Sequence, residues 1–180
     1  MIKPGDAIGY ENQSDFRSVV LEEILKSFSK KANIKLVKLP SKKKINKIAI
    51  PSTIDSESDK IVKELINGKA KNLDKAKPVY KNFIKPLYLF LDKEVLLYAE
   101  LKQLKFSKQK KDKDKISEFI NDLEKKHPEI KWAIINGFEE VLWISRLSSK
   151  PIQKNHLTFF YQTNQSFEKF IIPSWIINII

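Results

Sequence analysis

The chain of 180 residues contains no cysteine, four glycines, two arginines and one methionine. Without a thiolate it can hold no zinc knuckle and no iron–sulfur cluster, carry no persulfide and form no disulfide. That usage fits a reducing compartment, and the cytoplasm is the expected location. Gly5 and Gly9 are the only glycines near the amino terminus. They are not paired after a strand, so a loop that cradles a pyrophosphate with backbone amides is not expected there. The arginines are Arg17 and Arg146, which leaves few bidentate forks for bases or phosphates. Residues 1–10 lack a basic segment followed by an apolar run, so no signal peptide is expected. No stretch reaches the roughly 18 apolar residues of a membrane helix. The longest, residues 170–180, is interrupted by Pro173, Ser174 and Asn178.

What the chain does have is lysine. Lys plus Arg total 34 against 22 Asp plus Glu, a net charge of +12 with a pI near 9.6. Such an excess favours polyanions through counterion release, and lysine meets phosphate as a point charge. An RNA partner contacted along its backbone is expected. Lys42, Lys43 and Lys44 form one candidate cluster, and Lys108, Lys110 and Lys111 another, the second diluted by Asp112 and Asp114. A plain solvated surface explains lysine runs equally well.

Residues 1–13 read as an irregular lead-in, 14–147 as one domain, and 148–180 as a divergent extension. Ser14 or Asp15 can cap a helix reaching about Lys31, with Phe16, Val19, Val20, Ile24, Leu25 and Phe28 on one face. Residues 34–39 alternate apolar and lysine as a half-exposed strand does. Residues 70–81 read as a lysine-rich connector and 105–115 as a mobile linker. Ile116, Phe119, Ile120 and Leu123 fall at helical spacing before Pro128 ends the helix. Residues 132–147 form a further helical candidate.

Two blocks carry most of the information. In residues 47–69 the apolar run Ile48-Ala49-Ile50 turns through Pro51, Ser52 and Thr53 into a helix that Gly68 stops. Asp55, Glu57 and Asp59 crowd its start, where negative charge suits the macrodipole. They read as a metal-binding remnant or, more simply, as a helix cap. In residues 83–104, Lys85-Pro86-Leu87 leads into Asp92-Lys93-Glu94-Val95 and a helix. Strand, acidic turn and helix in this order is the grammar of a doubly wound α/β domain.

At these residues the chain resembles the tRNA 2-thiolation proteins, the archaeal and cytosolic thiouridylases of the PP-loop ATPase (adenine-nucleotide α-hydrolase) superfamily. Their Gly-His-Asn-Leu-Asp-Asp-Glu-Ala turn is matched by Pro51-Ser52-Thr53-Ile54-Asp55-Ser56-Glu57-Ser58. Lys85-Pro86-Leu87, Lys93-Glu94-Val95 and Tyr98-Ala99 follow in the family's order, then residues 114–128 and Gly137-Phe138-Glu139. The resemblance spans roughly residues 16–141. It implies a partial doubly wound parallel sheet lacking the nucleotide-loop half, with C-terminal helices and an apolar tail. Asp55, Glu57, Lys85, Pro86, Lys93 and Glu94 are the motif residues it marks, and Lys85 is also a candidate RNA contact.

The family's Ser-Gly-Gly-x-Asp-Ser loop, which follows its first strand, and its cysteine clusters have no counterpart, so independent catalysis, cofactor and metal are not expected. The resemblance implies a non-catalytic subunit or paralogue in wobble-uridine thiolation, with tRNA and a catalytic thiolase as partners and no membrane. A divided thiolase completing a composite active site, or a general basic RNA-binding domain, are the alternatives. Missing first strands would leave an open sheet edge that needs a cover. The tail at 170–180 would supply that cover or form an interface. His127, His156, Trp132, Trp143 and Trp175 are read as structural, since none sits at ligand spacing and aromatics at such spacings pack cores.

Overall fold

The computed structural model describes residues 2–11, 13–107 and 114–148. Two compact units divide the chain, Met1–Glu140 and Val141–Ile180, and of the second only the end of a helix is described. Lys108, Lys110, Lys111, His156, Trp175 and the apolar tail lie outside the described residues, as does most of the expected linker.

Five strands form one sheet: β1 (Ala7–Tyr10), β2 (Lys35–Lys38), β3 (Lys47–Ala49), β4 (Val79–Tyr80) and β5 (Phe83–Ile84). Their order is β2-β1-β3-β5-β4, parallel throughout except for β4, which pairs antiparallel with β5. The helices are α1 (Phe16–Ala32), α2 (Ile54–Ile66), α3 (Asp92–Leu101), α4 (Lys115–Lys126) and α5 (Ile130–Ser148), with a 3-10 helix at Ala70–Ala76. The expected α/β class holds.

Residues 1–13 are not an irregular lead-in. They contain β1, the strand on which the sheet is built: Ile8 pairs with Leu36 on one side and Lys47 on the other. The edge of β3 that missing strands would leave open is filled by β1. The connector at 70–81 also corrects to structure, a 3-10 helix followed by β4. Of the expected linker, Phe106 packs edge-on against Phe16 with ring centroids 6.3 Å apart, and the Ser107 N–H donates to the Ser14 carbonyl at 2.7 Å.

Local chemistry places the helices where the sequence predicts them. The Asp15 carboxylate accepts from the Ser18 N–H at 3.1 Å and starts α1, and Asn33 ends it in the left-handed region. Thr53 and Ser56 form a capping box at the start of α2. Helices α1 and α3 pack together over one face of the sheet. Val20, Leu21 and Leu25 of α1 and Val95 and Ala99 of α3 meet Ile8, Tyr10, Ala49 and Ile84 there. Helix α2 packs on α4 and on the 3-10 helix.

The passage from β2 to β3 has no helix. Residues 39–46 cross β1 directly, held by the Leu39 N–H on the Tyr10 carbonyl at 2.8 Å and the Asn46 N–H on the Ala7 carbonyl at 2.9 Å. The crossing is tight over Gly9, where a Cβ would meet Ile45 Cδ1 at 3.1 Å and Leu39 Cδ1 at 3.3 Å. Gly9→Val is therefore expected to destabilise the domain by about 1–3 kcal/mol through overpacking. Gly9→Ala should cost less, since the contacting groups are side chains that can yield. Urea unfolding of both variants measures the difference, and equal stability of Gly9→Val and wild type would contradict the tight crossing.

Candidate functional site

In an open parallel sheet, ligands bind beyond the carboxyl ends of the strands where the strand order reverses. Here β2 and β3 lie on opposite sides of β1, so that point is the end of β1 beside the end of β3. A cleft of about 270 Å³ occupies it, lined by Glu11, Gln13, Ile48, Ala49, Ile50, Pro51 and Phe83. Its floor is apolar and its polar rim is an acid and an amide. The connection from β1 to α1, residues 11–15, contains no glycine. Gln13 Nε2 lies 3.5 Å from Glu11 Oε2. The first turn of α1 takes its anion from within, as the Asp15 cap. A phosphate arriving here would meet the Glu11 carboxylate, beside a helix start that already carries the negative charge of Asp15.

The turn after β3 is tied down by charge. Ser52 Oγ donates to Glu57 Oε1 at 2.6 Å, and Lys85 Nζ lies 2.9 Å from the same oxygen. Glu57 and Lys85 side chains are 1% and 3% exposed. Lys85 also donates to the Lys75 carbonyl at 2.6 Å, which fastens the 3-10 helix. Burial pulls the Lys85 ammonium below the ordinary lysine range, against the opposing pull of Glu57.

A second set joins helices distant in sequence. Arg17 at the start of α1 grips Asp92 of α3 through two hydrogen bonds of 2.7 and 2.5 Å. Thr53 Oγ1 donates to the same carboxylate at 2.8 Å. The Asp92 N–H donates to Asp55 Oδ2 at 2.7 Å, so Asp55 of α2 caps α3. Glu94 accepts from the Leu91 N–H at 2.8 Å and serves the same helix end. The other oxygen of Asp55 receives Lys131 Nζ at 2.5 Å, and Lys131 reaches Glu124 at 2.7 Å and Asn121 at 3.0 Å. Burial lowers the affinity of Lys131 for its proton, but its bonds to Asp55 and Glu124 outweigh that and hold it above the ordinary range.

Residue by residue, the motif positions are structural in kind. Asp55, Glu57, Lys85 and Glu94 hold helices and turns together. Pro86 is half-buried beside Lys85, and Lys93 is exposed. Lys85 as an RNA contact is corrected: it is buried and paired, out of reach of a phosphate. Asp59 accepts from Ser117 Oγ at 2.5 Å, with its carboxyl raised by burial. Among the described residues no group of three or more His, Cys, Asp or Glu side chains is poised to hold a metal. Nor is any helix among them long and apolar enough to cross a membrane. Lys42, Lys43 and Lys44 are exposed in the crossing loop.

Sequence reasoning missed Arg17, Asp92 and Lys131. For Lys131 a signal existed: with Ile135 and Phe138 it falls at i, i+4 and i+7 on the buried stripe of α5. A lysine on such a stripe needs a carboxylate partner.

No protein-family model matches the chain, and no curated protein sequence matches it. Among solved structures it is similar to the U34-tRNA thiolase NcsA from Methanococcus maripaludis with its 4Fe-4S cluster. The TM-score is 0.60 at 19% identity, covering 78% of this chain and 72% of that one. The two share a fold. A 4Fe-4S cluster is held by cysteine thiolates, and this chain offers none, so its donor set does not fit such a group.

Proposed function

We propose that this chain is a non-catalytic member of the tRNA wobble-uridine 2-thiolation machinery, one that keeps a thiolase fold to support a catalytic thiolase and contact tRNA phosphates. The observation that carries this reading is the connection at residues 11–15. It lies where the strand order reverses, yet has no glycine and presents Glu11 to the cleft. Arg17, which follows that connection at the start of α1, is committed to Asp92, and the buried Lys85 and Lys131 are likewise each paired with a carboxylate. The likeness to a tRNA thiolase supplies the link to thiolation. A divided enzyme would need Asp55 and Lys85 in a composite active site, and both are spent on ion pairs.

Purified protein given ATP and tRNA should form no more AMP than a heat-denatured control, and should move no sulfur to tRNA. Co-expression with a cysteine-bearing thiolase from the same source should yield a complex that co-purifies. AMP formation by this chain alone would overturn the non-catalytic reading. A stable monomer that ignores the thiolase would overturn the supporting role.

A further inference from the structure

We infer that the β2 edge of the sheet is a continuous surface for a nucleic-acid backbone, separate from the cleft at the strand ends. The eighteen residues from 30 to 47 hold eight lysines and no acid, two thirds of the chain's net charge. The fold keeps them together. Lys30 and Lys31 end α1, Lys35 and Lys38 lie on the edge strand, and Lys42, Lys43 and Lys44 follow on the crossing loop. These seven are exposed, and among the described residues none is joined to a carboxylate in an ion pair. That contrasts with Arg17, Lys85 and Lys131, each neutralised within the fold.

Edge strands carry lysine to prevent edge-to-edge pairing, and Lys35 and Lys38 on β2 serve that end. Here the charge continues onto a helix end and a loop, where there is no edge to protect. An anionic membrane is the other polyanion that a basic tract could meet. Peripheral membrane binding adds apolar side chains to such charge, and no large exposed apolar residue among the described ones falls between 30 and 47. Lys35 and Lys38 stand about 10 Å apart along the edge strand and, three residues apart, project to opposite faces of it, so lysine flanks the edge on both sides and can meet phosphates without reading bases. The choice of RNA over DNA rests on the proposed role in thiolation; the location of the surface does not.

The test is binding of an unmodified tRNA transcript, a DNA duplex and phosphatidylserine vesicles at about 50 and 200 mM salt. If about five of these lysines release counterions, tRNA affinity should fall roughly a hundredfold across that range. Lys30→Glu/Lys31→Glu, Lys35→Glu/Lys38→Glu and the triple reversal of Lys42, Lys43 and Lys44 should each lose at least about tenfold, with a shallower salt slope. The matching Lys→Gln variants, with melting curves, separate lost charge from lost folding. Lys125→Glu/Lys126→Glu on α4 is the control, charge-matched to the two double reversals, and should change affinity less than about twofold. Equal loss in that control, or unchanged binding by folded variants of the tract, would overturn the placement while leaving tRNA contact intact. A wild-type protein that binds vesicles and no nucleic acid would overturn both. Duplex DNA bound as tightly as tRNA would support the surface and remove its link to thiolation.

Discussion

Replacing Lys85 by alanine is expected to cost about 3–5 kcal/mol of stability, the usual result of removing one partner from a buried ion pair. Glu57 would be left almost wholly inside the protein, with Ser52 as its remaining close donor. Among the described residues its second oxygen has no hydrogen-bond partner. The 3-10 helix would also lose its tie through the Lys75 carbonyl. Urea unfolding measures the loss as a fall in midpoint at constant m value. Removing both charges should do less harm than removing one, because the penalty lies in the stranded carboxylate. Lys85→Met with Glu57→Gln should therefore be more stable than Lys85→Ala alone. A single-variant loss below about 1 kcal/mol would show that the pair does not hold the turn.

Lys131→Ala should follow closely, with a loss of about 2–4 kcal/mol. Its partners Asp55 and Glu124 are 19% and 24% exposed, so water softens the penalty below the fully buried figure. The damage should spread, since Asp55 also caps α3 and Lys131 joins α2, α4 and α5. Alkaline pH separates the two lysines. Lys131 binds its proton more tightly folded than at the ordinary value of 10.5. Its stabilisation is thus complete below that value and lost only as pH rises through the higher folded one. Lys85 is depressed, so its charged form is a burden in the folded state. That burden lifts as pH rises from the folded value towards 10.5. As pH rises towards 10.5, wild type should gain stability relative to Lys85→Met and stay level relative to Lys131→Met. Parallel drift of both differences would contradict the assigned directions.

The parts of the fold written in adjacent residues were legible before the structure. Asp15 ahead of an apolar stripe marks α1, the turn through Thr53 into Asp55, Glu57 and Asp59 marks α2, and alternation marks β2. The strand β1 was not legible. Ala7-Ile8-Gly9-Tyr10 has a glycine at its centre and too few residues to establish a period. Its extended form is stabilised by ladders to β2 and β3, whose partners lie 28 and 39 residues further along. The strands β4 and β5 have two residues each and no pattern at all.

For the site, composition alone determined that no thiolate chemistry occurs on this chain and that the connection at 11–15 lacks the glycines of a phosphate cradle. Those conclusions need no geometry, because a missing side chain is missing in every conformation. Whether a charged residue faces solvent or a partner is different in kind. Lys85 and Lys43 look alike in sequence, each a lysine near other basic or turn-forming residues. Only the packing of α2 against the segment after β5 brings Glu57 to Lys85 and excludes water from both, whereas Lys43 stays on an exposed loop. Burial and pairing are properties of contacts between distant segments, and the cost of an unpaired buried charge makes those contacts decide which lysines hold the fold and which remain free to bind.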